Sequence, residues 1–358
     1  MNHLRALIAM SGGVDSSVAA LITKEQGYEC IGCTMKLYQN EDAGIPKRHT
    51  CCSLDDVEDA RSVAHLLGMT YYVFNFSYDF RQKVIEPFVW NYEHGRTPNP
   101  CIDCNRYMKF DKLFERATIL DCDKVVTGHY ARIEKQGKQY VLKKALDSSK
   151  DQSYVLYTMT QAQLAKTLFP LGSMTKVEAR RIAEKSGFCN FQKPDSQDIC
   201  FVPNGNYAQI VELHAGYSSQ QGNFIDLSGR ILGRHRGIIH YTIGQRKGLG
   251  LSFAAPHYVC AINHVDNTIT LAESDALYRT RLIAEDFNWI SGEIPMYPLR
   301  CKAKIRYRQA EQPATVFVHT DGTVEITFDE PQRAITPGQA VVLYDGEIVL
   351  GGGVIRDA

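Results

Sequence analysis

The 358-residue chain carries no net charge, with 40 Lys and Arg against 40 Asp and Glu. Bulk electrostatics therefore predict no polyanionic partner, and any basic surface must come from patterning. No run approaches the ~20 consecutive apolar residues of a membrane span. The stretch from Ala6 to Met10 is too short for a signal-peptide core and runs straight into a glycine motif, so it reads as a strand and the protein as cytoplasmic. Long-period repeats and low-complexity tracts are absent as well, which argues against a solenoid and against disorder. Cysteine is plentiful: there are 11, an odd number, with Cys51 and Cys52 adjacent. That count argues against a purely structural disulfide framework, and in a reducing compartment clustered cysteines point to sulfur chemistry or metal.

At about 150 residues per domain the length predicts two or three domains. The first half alternates short apolar runs with amphipathic segments, the pattern of a parallel sheet flanked by helices. Leu4–Met10, Glu29–Lys36, Tyr71–Phe76 and Lys124–Thr127 read as strands. Helical spacing places helices after Val14, around Phe110 to Ala117, and from Val177 to Lys185. From about Phe201 glycine becomes frequent, and Leu227 to Val265 has no acidic residue while holding Arg230, Arg234, Arg236, Arg246 and Lys247. The last eighty residues alternate or are β-branched, with hairpin signals at Asp321-Gly322 and Asp345-Gly346, so a small closed β-barrel is expected there. The fold class is thus α/β, a parallel-sheet nucleotide-binding domain over 1–202, a small central domain over 203–275 and a C-terminal β-barrel over 276–358.

Ser11-Gly12-Gly13-Val14-Asp15-Ser16-Ser17 follows the first strand and precedes the first helix. Two glycines let the backbone approach a phosphate, and amides at the helix N-terminus supply donors. The Lys of a Walker loop is missing, so this is no ordinary kinase or GTPase loop. Asp15 has two readings, a ligand for Mg²⁺ on a leaving pyrophosphate or a first-turn dipole partner. Two cysteine motifs follow, Asn99-Pro100-Cys101-Ile102-Asp103-Cys104-Asn105 and Asp195-Ser196-Gln197-Asp198-Ile199-Cys200. Cys104 sits just before the Phe110 helix, where a helix N-terminus lowers a thiol pKa and favours nucleophilic sulfur. Cys200 reads alone as a buried hydrophobe or as a second reactive sulfur. Cys101-x-x-Cys104 also fits half a zinc or iron–sulfur site completed by Cys51, Cys52 or Cys200. Independently, Arg300-Cys301-Lys302-Ala303-Lys304-Ile305-Arg306-Tyr307-Arg308 has a cation at every second position. One strand would place all five on one face, ready for a phosphate backbone.

The glycine loop resembles that of the PP-loop ATP pyrophosphatases, which split ATP into AMP and pyrophosphate. Together with Gly95-Arg96-Thr97-Pro98-Asn99-Pro100, Thr127-Gly128-His129-Tyr130, Lys150-Asp151-Gln152-Ser153-Tyr154, Gly244-Gln245-Arg246-Lys247-Gly248-Leu249-Gly250 and Thr336-Pro337-Gly338-Gln339, it makes the whole chain resemble the tRNA-specific 2-thiouridylases. The resemblance implies ATP held by Ala9, Met10, Ser11, Gly12, Gly13, Val14, Asp15 and Ser16, with Met35 and Gly128 lining the nucleotide and Mg²⁺ as its companion ion. It implies Cys104 as nucleophile and Cys200 as persulfide carrier, with an iron–sulfur cluster as the less favoured alternative. Asn99, Pro100 and Cys101 would face the target base, and His129, Lys150, Asp151, Gln152, Arg306, Tyr307 and Gln339 would contact tRNA. Some members carry Asp where this chain has Cys101, so Cys101 does not inherit an acid–base role. The implied partners are tRNAs of the Lys, Glu and Gln type, with a wobble uridine, and a cysteine desulfurase or sulfur-relay protein. Two rivals are an ammonia-using, amide-forming ATP pyrophosphatase and a non-enzymatic tRNA-binding protein.

Overall fold

The computed structural model describes residues 4–39, 54–195, 199–202, 205–296 and 298–358. Cys51, Cys52 and the Ser196-Gln197-Asp198 part of the second cysteine motif lie outside the described residues. The first sheet is five-stranded and parallel, in the order Thr70–Asn75, Glu29–Lys36, Arg5–Ala9, Lys124–Val126, Thr167–Leu168. Its central strand is an unbroken apolar run because both faces are covered, and Ala6, Leu7 and Ile8 are wholly buried. The four strands expected from sequence appear within a residue or so of their predicted ends; the two-residue fifth strand has no sequence signal of its own. The chain leaves Arg5–Ala9 toward one side of the sheet and later returns to Lys124–Val126 on the other. A switch of that kind opens a crevice beyond the carboxyl ends of those two strands.

A second sheet of four strands runs Tyr258–Asn263, Thr268–Ala272, Gly222–Ile225, Ile231–His235 and packs on the helix Tyr207–Ala215 through Phe224, Ile210 and Val211. The expected barrel is present. Tyr278–Trp289, Val324–Arg333, Gln312–Val318, Leu299–Lys304, Ala340–Asp345 and Ile348–Asp357 pair in that order, and the last returns to the first. Alternating residues such as Leu282, Ala303, Val316, Ile326 and Leu343 fill its interior. Both predicted hairpin turns occur, with Gly322 at φ +84° and Gly346 at φ +57°. The hairpin Arg132–Gln136/Gln139–Lys143, from the first domain, extends this sheet by pairing Lys143 with Ile348 and Leu142 with Val349.

One expectation fails in the barrel. The strand beginning at Leu299 ends at Lys304, not Arg308. Arg300, Lys302 and Lys304 share the outer face while Cys301 and Ala303 are buried, but Arg306 and Arg308 lie in the following turn. The reason is Arg306 itself. Its guanidinium turns inward and donates to the carbonyls of Ile243 (3.3 Å) and Ala334 (3.0 Å) and to Thr336 Oγ1 (2.7 Å), joining the central domain to the barrel. Among the described residues no helix is long and apolar enough to cross a membrane.

Candidate active site

The glycine loop lies at the crevice. Gly12 has φ +76°, and a Cβ there would stand 2.8 Å from Asp56 Cα, so only glycine fits. Gly13, the N-cap of the helix Val14–Glu25, has φ −90° and offers it no side chain. The loop is braced from within, Ser16 Oγ accepting the Ser11 N–H at 3.1 Å and donating to the Gly13 carbonyl at 3.0 Å. It is braced from outside by Asn190, whose amide donates to the Gly12 carbonyl (2.9 Å) and Ser17 Oγ (3.0 Å). Gly128 closes the other wall, where a Cβ would meet the Ser16 nitrogen at 2.8 Å. The structure thus brings Ala9 to Ser16 and Gly128 together. Met35 stands near the carboxyl end of the neighbouring strand Glu29–Lys36.

Sequence reasoning missed the ions around this loop. Lys176, buried in the first turn of the helix Lys176–Lys185, reaches both oxygens of Asp15 at 2.7 Å and Asp195 at 2.8 Å. Tyr130 adds a 2.9 Å hydrogen bond to Asp15, while Lys150 (2.7 Å) and Arg180 (2.8 Å) bind Asp195. Partial burial works against the charge of Asp195, but hydrogen bonds from Lys150 and Lys176 outweigh it and hold its pKa down at about 2. Lys193 ties Asp56 and Asp59 to the loop. Lys176 engages both oxygens of Asp15 and Tyr130 one of them, which leaves Oδ2 a lone pair for a cation. Among the described residues no three His, Cys, Asp or Glu side chains gather around a metal-sized site. The only sequence signal for Lys176 was its place beside the N-cap Thr175, which carries no hint of Asp15.

The thiol segment corrects a second expectation. The helix begins at Pro100, capped by Asn99 Oδ1, which accepts the Cys101 N–H at 3.2 Å. It continues through a π-helical stretch, Cys104–Lys112, into Leu113–Ile119. Cys101, exposed, occupies the helix N-terminus; Cys104 lies a turn deeper and is buried. Burial pushes the Cys104 thiol up to about 11, with Lys109 opposing and Cys101 and Asp103 adding to the rise. The expected lowering fails because desolvation exceeds any dipole effect one turn into the helix. The i→i+5 ladder brings Lys109 round toward Cys104, a register that α-helical counting does not predict. Burial also raises Asp103 to about 7, Arg106 opposing and Asp286 reinforcing, since Arg106 is paired with Asp286 rather than with Asp103. Cys200 packs against the same hydrophobic cluster that includes Cys104, and Tyr38 donates to its carbonyl. Neither cysteine is in a disulfide.

The residues expected on the RNA side divide into two groups. His129 is buried between Phe110 and Phe169, and its pKa falls well below the usual histidine range through burial, with Lys109 adding to the effect. Lys109 approaches Nε2 at 3.4 Å, so the ring proton sits on Nδ1 facing Thr127 Oγ1 at 2.7 Å. A neutral, buried imidazole offers no cation to a phosphate. Arg306 is committed to the interdomain contacts above, and Gln339 Nε2 donates to the Thr97 carbonyl at 2.8 Å. Asp151 caps its own turn by accepting from Ala145 N–H and Ser153 Oγ, and Gln152 Oε1 accepts from Tyr130 N–H. Tyr307, exposed, donates to the Asp151 carbonyl at 3.1 Å, which joins the barrel to the turn at Lys150. Lys304 lies over the rings of Tyr154 and Tyr307.

Three family models match the chain: a tRNA methyl transferase HUP domain over 4–204, a tRNA methyl transferase PRC-barrel domain over 212–273, and an aminomethyltransferase beta-barrel domain over 279–355. The tRNA-specific 2-thiouridylase MnmA of Clostridioides difficile (strain 630) is 50% identical over 354 residues, covering 98% of each chain. The protein of the same name from Acetivibrio thermocellus is 48% identical over 359 residues, covering 99% of this chain and 100% of its own.

Proposed function

The chain belongs to the MnmA family of tRNA-specific 2-thiouridylases, and from that premise we propose that it replaces the C2 oxygen of a tRNA wobble uridine with sulfur at the expense of ATP. The observation that carries the reading is the pairing of an anion-binding glycine loop with two cysteine thiols, Cys104 and Cys200, in one domain and one packed cluster. An amide-forming enzyme would need the loop and neither thiol.

A uracil carbonyl oxygen is a poor leaving group. Attack of that oxygen on the α-phosphorus of ATP expels pyrophosphate and leaves an adenylate from which AMP departs easily. The loop's amides and the N-terminus of the helix Val14–Glu25 suit the negative charge that builds on the phosphates. A persulfide on Cys200, loaded by a cysteine desulfurase or relay protein, supplies the sulfur. Its outer sulfur bonds to C2 as AMP leaves, and Cys104 then breaks the S–S bond, forming a Cys104–Cys200 disulfide and freeing the 2-thiouridine. Cys104 can instead attack the persulfide first and release sulfide for the same displacement. The base must leave its stack to reach the pocket, and Asn99, Pro100 and Cys101, of which Cys101 is exposed, form the start of the thiol helix that would meet it. The central and barrel domains, 203–275 and 276–358, hold the tRNA, with Lys302 and Lys304 on the outer face and Tyr307 and Arg308 in the turn that follows. The substrates are tRNAs of the Lys, Glu and Gln type, in the cytoplasm.

The test is pyrophosphate release with ATP, tRNA and a sulfide donor, with 2-thiouridine scored by mass spectrometry. Pyrophosphate without thiolated product would favour the amide-forming rival. Binding of tRNA without pyrophosphate would favour a non-enzymatic protein.

A further inference from the structure

The segment that carries Cys101 and Cys104 is held from outside its own domain. The barrel turn at Thr336–Gln339 is fixed to the last strand, Gly338 N–H donating to the Ile355 carbonyl at 2.9 Å and Ile355 N–H to that of Gln339 at 2.8 Å. From this anchored turn both backbone groups of Thr97 are gripped. The Pro337 carbonyl accepts the Thr97 N–H at 2.9 Å, and Gln339 Nε2 donates to the Thr97 carbonyl at 2.8 Å. Between them Gly338, at φ +90°, lies so close that a Cβ would stand 3.0 Å from the Thr97 nitrogen and 3.1 Å from Arg96 Cβ. A neighbouring barrel strand adds Glu285, paired with Arg96 at 3.2 Å. Two residues beyond Thr97, Asn99 caps the thiol helix through the Cys101 N–H.

These contacts form one chain of rigid links, from the last barrel strand through Gln339 to Thr97, Asn99 and the first turn of the thiol helix. We infer that Gln339 is a positioning residue for Cys104, fixing the entry of its helix from the barrel. Its amide nitrogen is directed at a carbonyl of the same protein, where truncation would free the Pro98–Asn99 linkage before the helix cap. A loosened cap lets the first turn open locally, and a buried thiol one turn inside then meets solvent more often.

The inference rests on the proposed role of Cys104 as the working thiol, but its test needs neither ATP nor tRNA thiolation. The full chain is treated with iodoacetamide, and alkylation of Cys104 is followed by peptide mass mapping, with Cys301, buried in the barrel interior, as internal reference. Gln339→Met, which keeps length and removes the donor, should speed Cys104 alkylation by roughly fivefold or more. The pH midpoint of that reaction should move down from about 11 toward the ordinary thiol range. Alkylation of Cys301 should stay at the wild-type level. Gln339→Lys, which retains a donor, should leave Cys104 as protected as in the wild type. An unchanged Cys104 rate in Gln339→Met overturns the inference, whether or not tRNA affinity falls. A parallel rise at Cys301 overturns it too, because the loosening is then general, and so does loss of protection in Gln339→Lys. A wild-type chain unable to thiolate tRNA would refute the function and leave this measurement readable.

Discussion

The glycine loop and the thiol helix belong to the same domain, yet they stand at opposite degrees of readiness. The loop is complete: its turn, its N-terminal amides and its surrounding cations are in place, locked by Asn190, Gly128 and Lys176. The thiol helix is closed, with Cys104 buried and its thiol held protonated at neutral pH. Under the proposed function, activation of the oxygen needs no rearrangement of the loop, whereas transfer of sulfur needs Cys104 to be uncovered. For an enzyme handling a persulfide this order is protective, since an exposed thiolate would react with any disulfide or oxidant it met.

Four experiments would break or sharpen that contrast. The largest effect is expected at the thiols: Cys104→Ser and Cys200→Ser should each yield no 2-thiouridine while ATP- and tRNA-dependent pyrophosphate release continues. Cys101→Ser should keep measurable thiolation. If Cys101→Ser is as inactive as the other two and the wild type carries iron, the cysteines are cluster ligands and the persulfide scheme falls. Next, Gly12→Ala should cut pyrophosphate release by roughly 100-fold, since it displaces a loop that must hold phosphates within an ångström or so. Gly13→Ala should cost far less, because a Cβ there meets nothing closer than Ser11 Oγ at 3.5 Å. Equal losses at both glycines would mean that the loop is not as rigid as its contacts imply.

A smaller effect is expected from Asp103. Its folded-state pKa of about 7 lies above the ordinary carboxylate value, so the stability that depends on its protonated form is present below about pH 4. That stability is lost as pH rises through 7. Urea unfolding of wild type and Asp103→Asn should therefore diverge between pH 4 and 7, the variant gaining on the order of 1 kcal/mol per pH unit. A constant difference would show that Asp103 is not desolvated in solution. The smallest effect concerns RNA. Lys302→Ala with Lys304→Ala should weaken tRNA binding and lower the salt slope by roughly one unit for each phosphate that the two lysines neutralise in the wild type. Arg306→Ala should instead loosen the central domain from the barrel, detectable as faster proteolysis without any change in that slope.

Much of this was legible in the sequence, and the exceptions have a common cause. Arg5–Ala9, the loop after it and the helix from Val14 are set by local rules: an apolar run, two glycines, a helical period. The hairpins at Gly322 and Gly346 are equally local, and from them the barrel followed. Lys176 could not be found that way, because Asp15 is 161 residues away in sequence and meets it only when two helices pack. The strand that begins at Leu299 ends early for a similar reason: Arg306 is drawn to carbonyls at Ile243 and Ala334 that alternation cannot foresee. The Cys104 pKa was misjudged because helix position is local whereas depth of burial is not. Sequence reasoning thus located the glycine loop, the strands and the barrel and missed the fastenings.

The hairpin Arg132–Gln136/Gln139–Lys143 has a consequence for how the molecule is made. It pairs with Ile348 and Val349, some two hundred residues later in synthesis. At about 5–20 residues per second a ribosome needs roughly 10–40 s to deliver that partner. During this interval Leu142, wholly buried in the finished protein, has the first-domain part of its cluster (Ala131, Tyr154, Leu156) but lacks Val342, Tyr344 and Val349, and the first domain emerges with an open sheet edge. The nascent chain is then most vulnerable to aggregation or to chaperone capture, and the last strand, once it arrives, closes the barrel and seals the first domain in a single event.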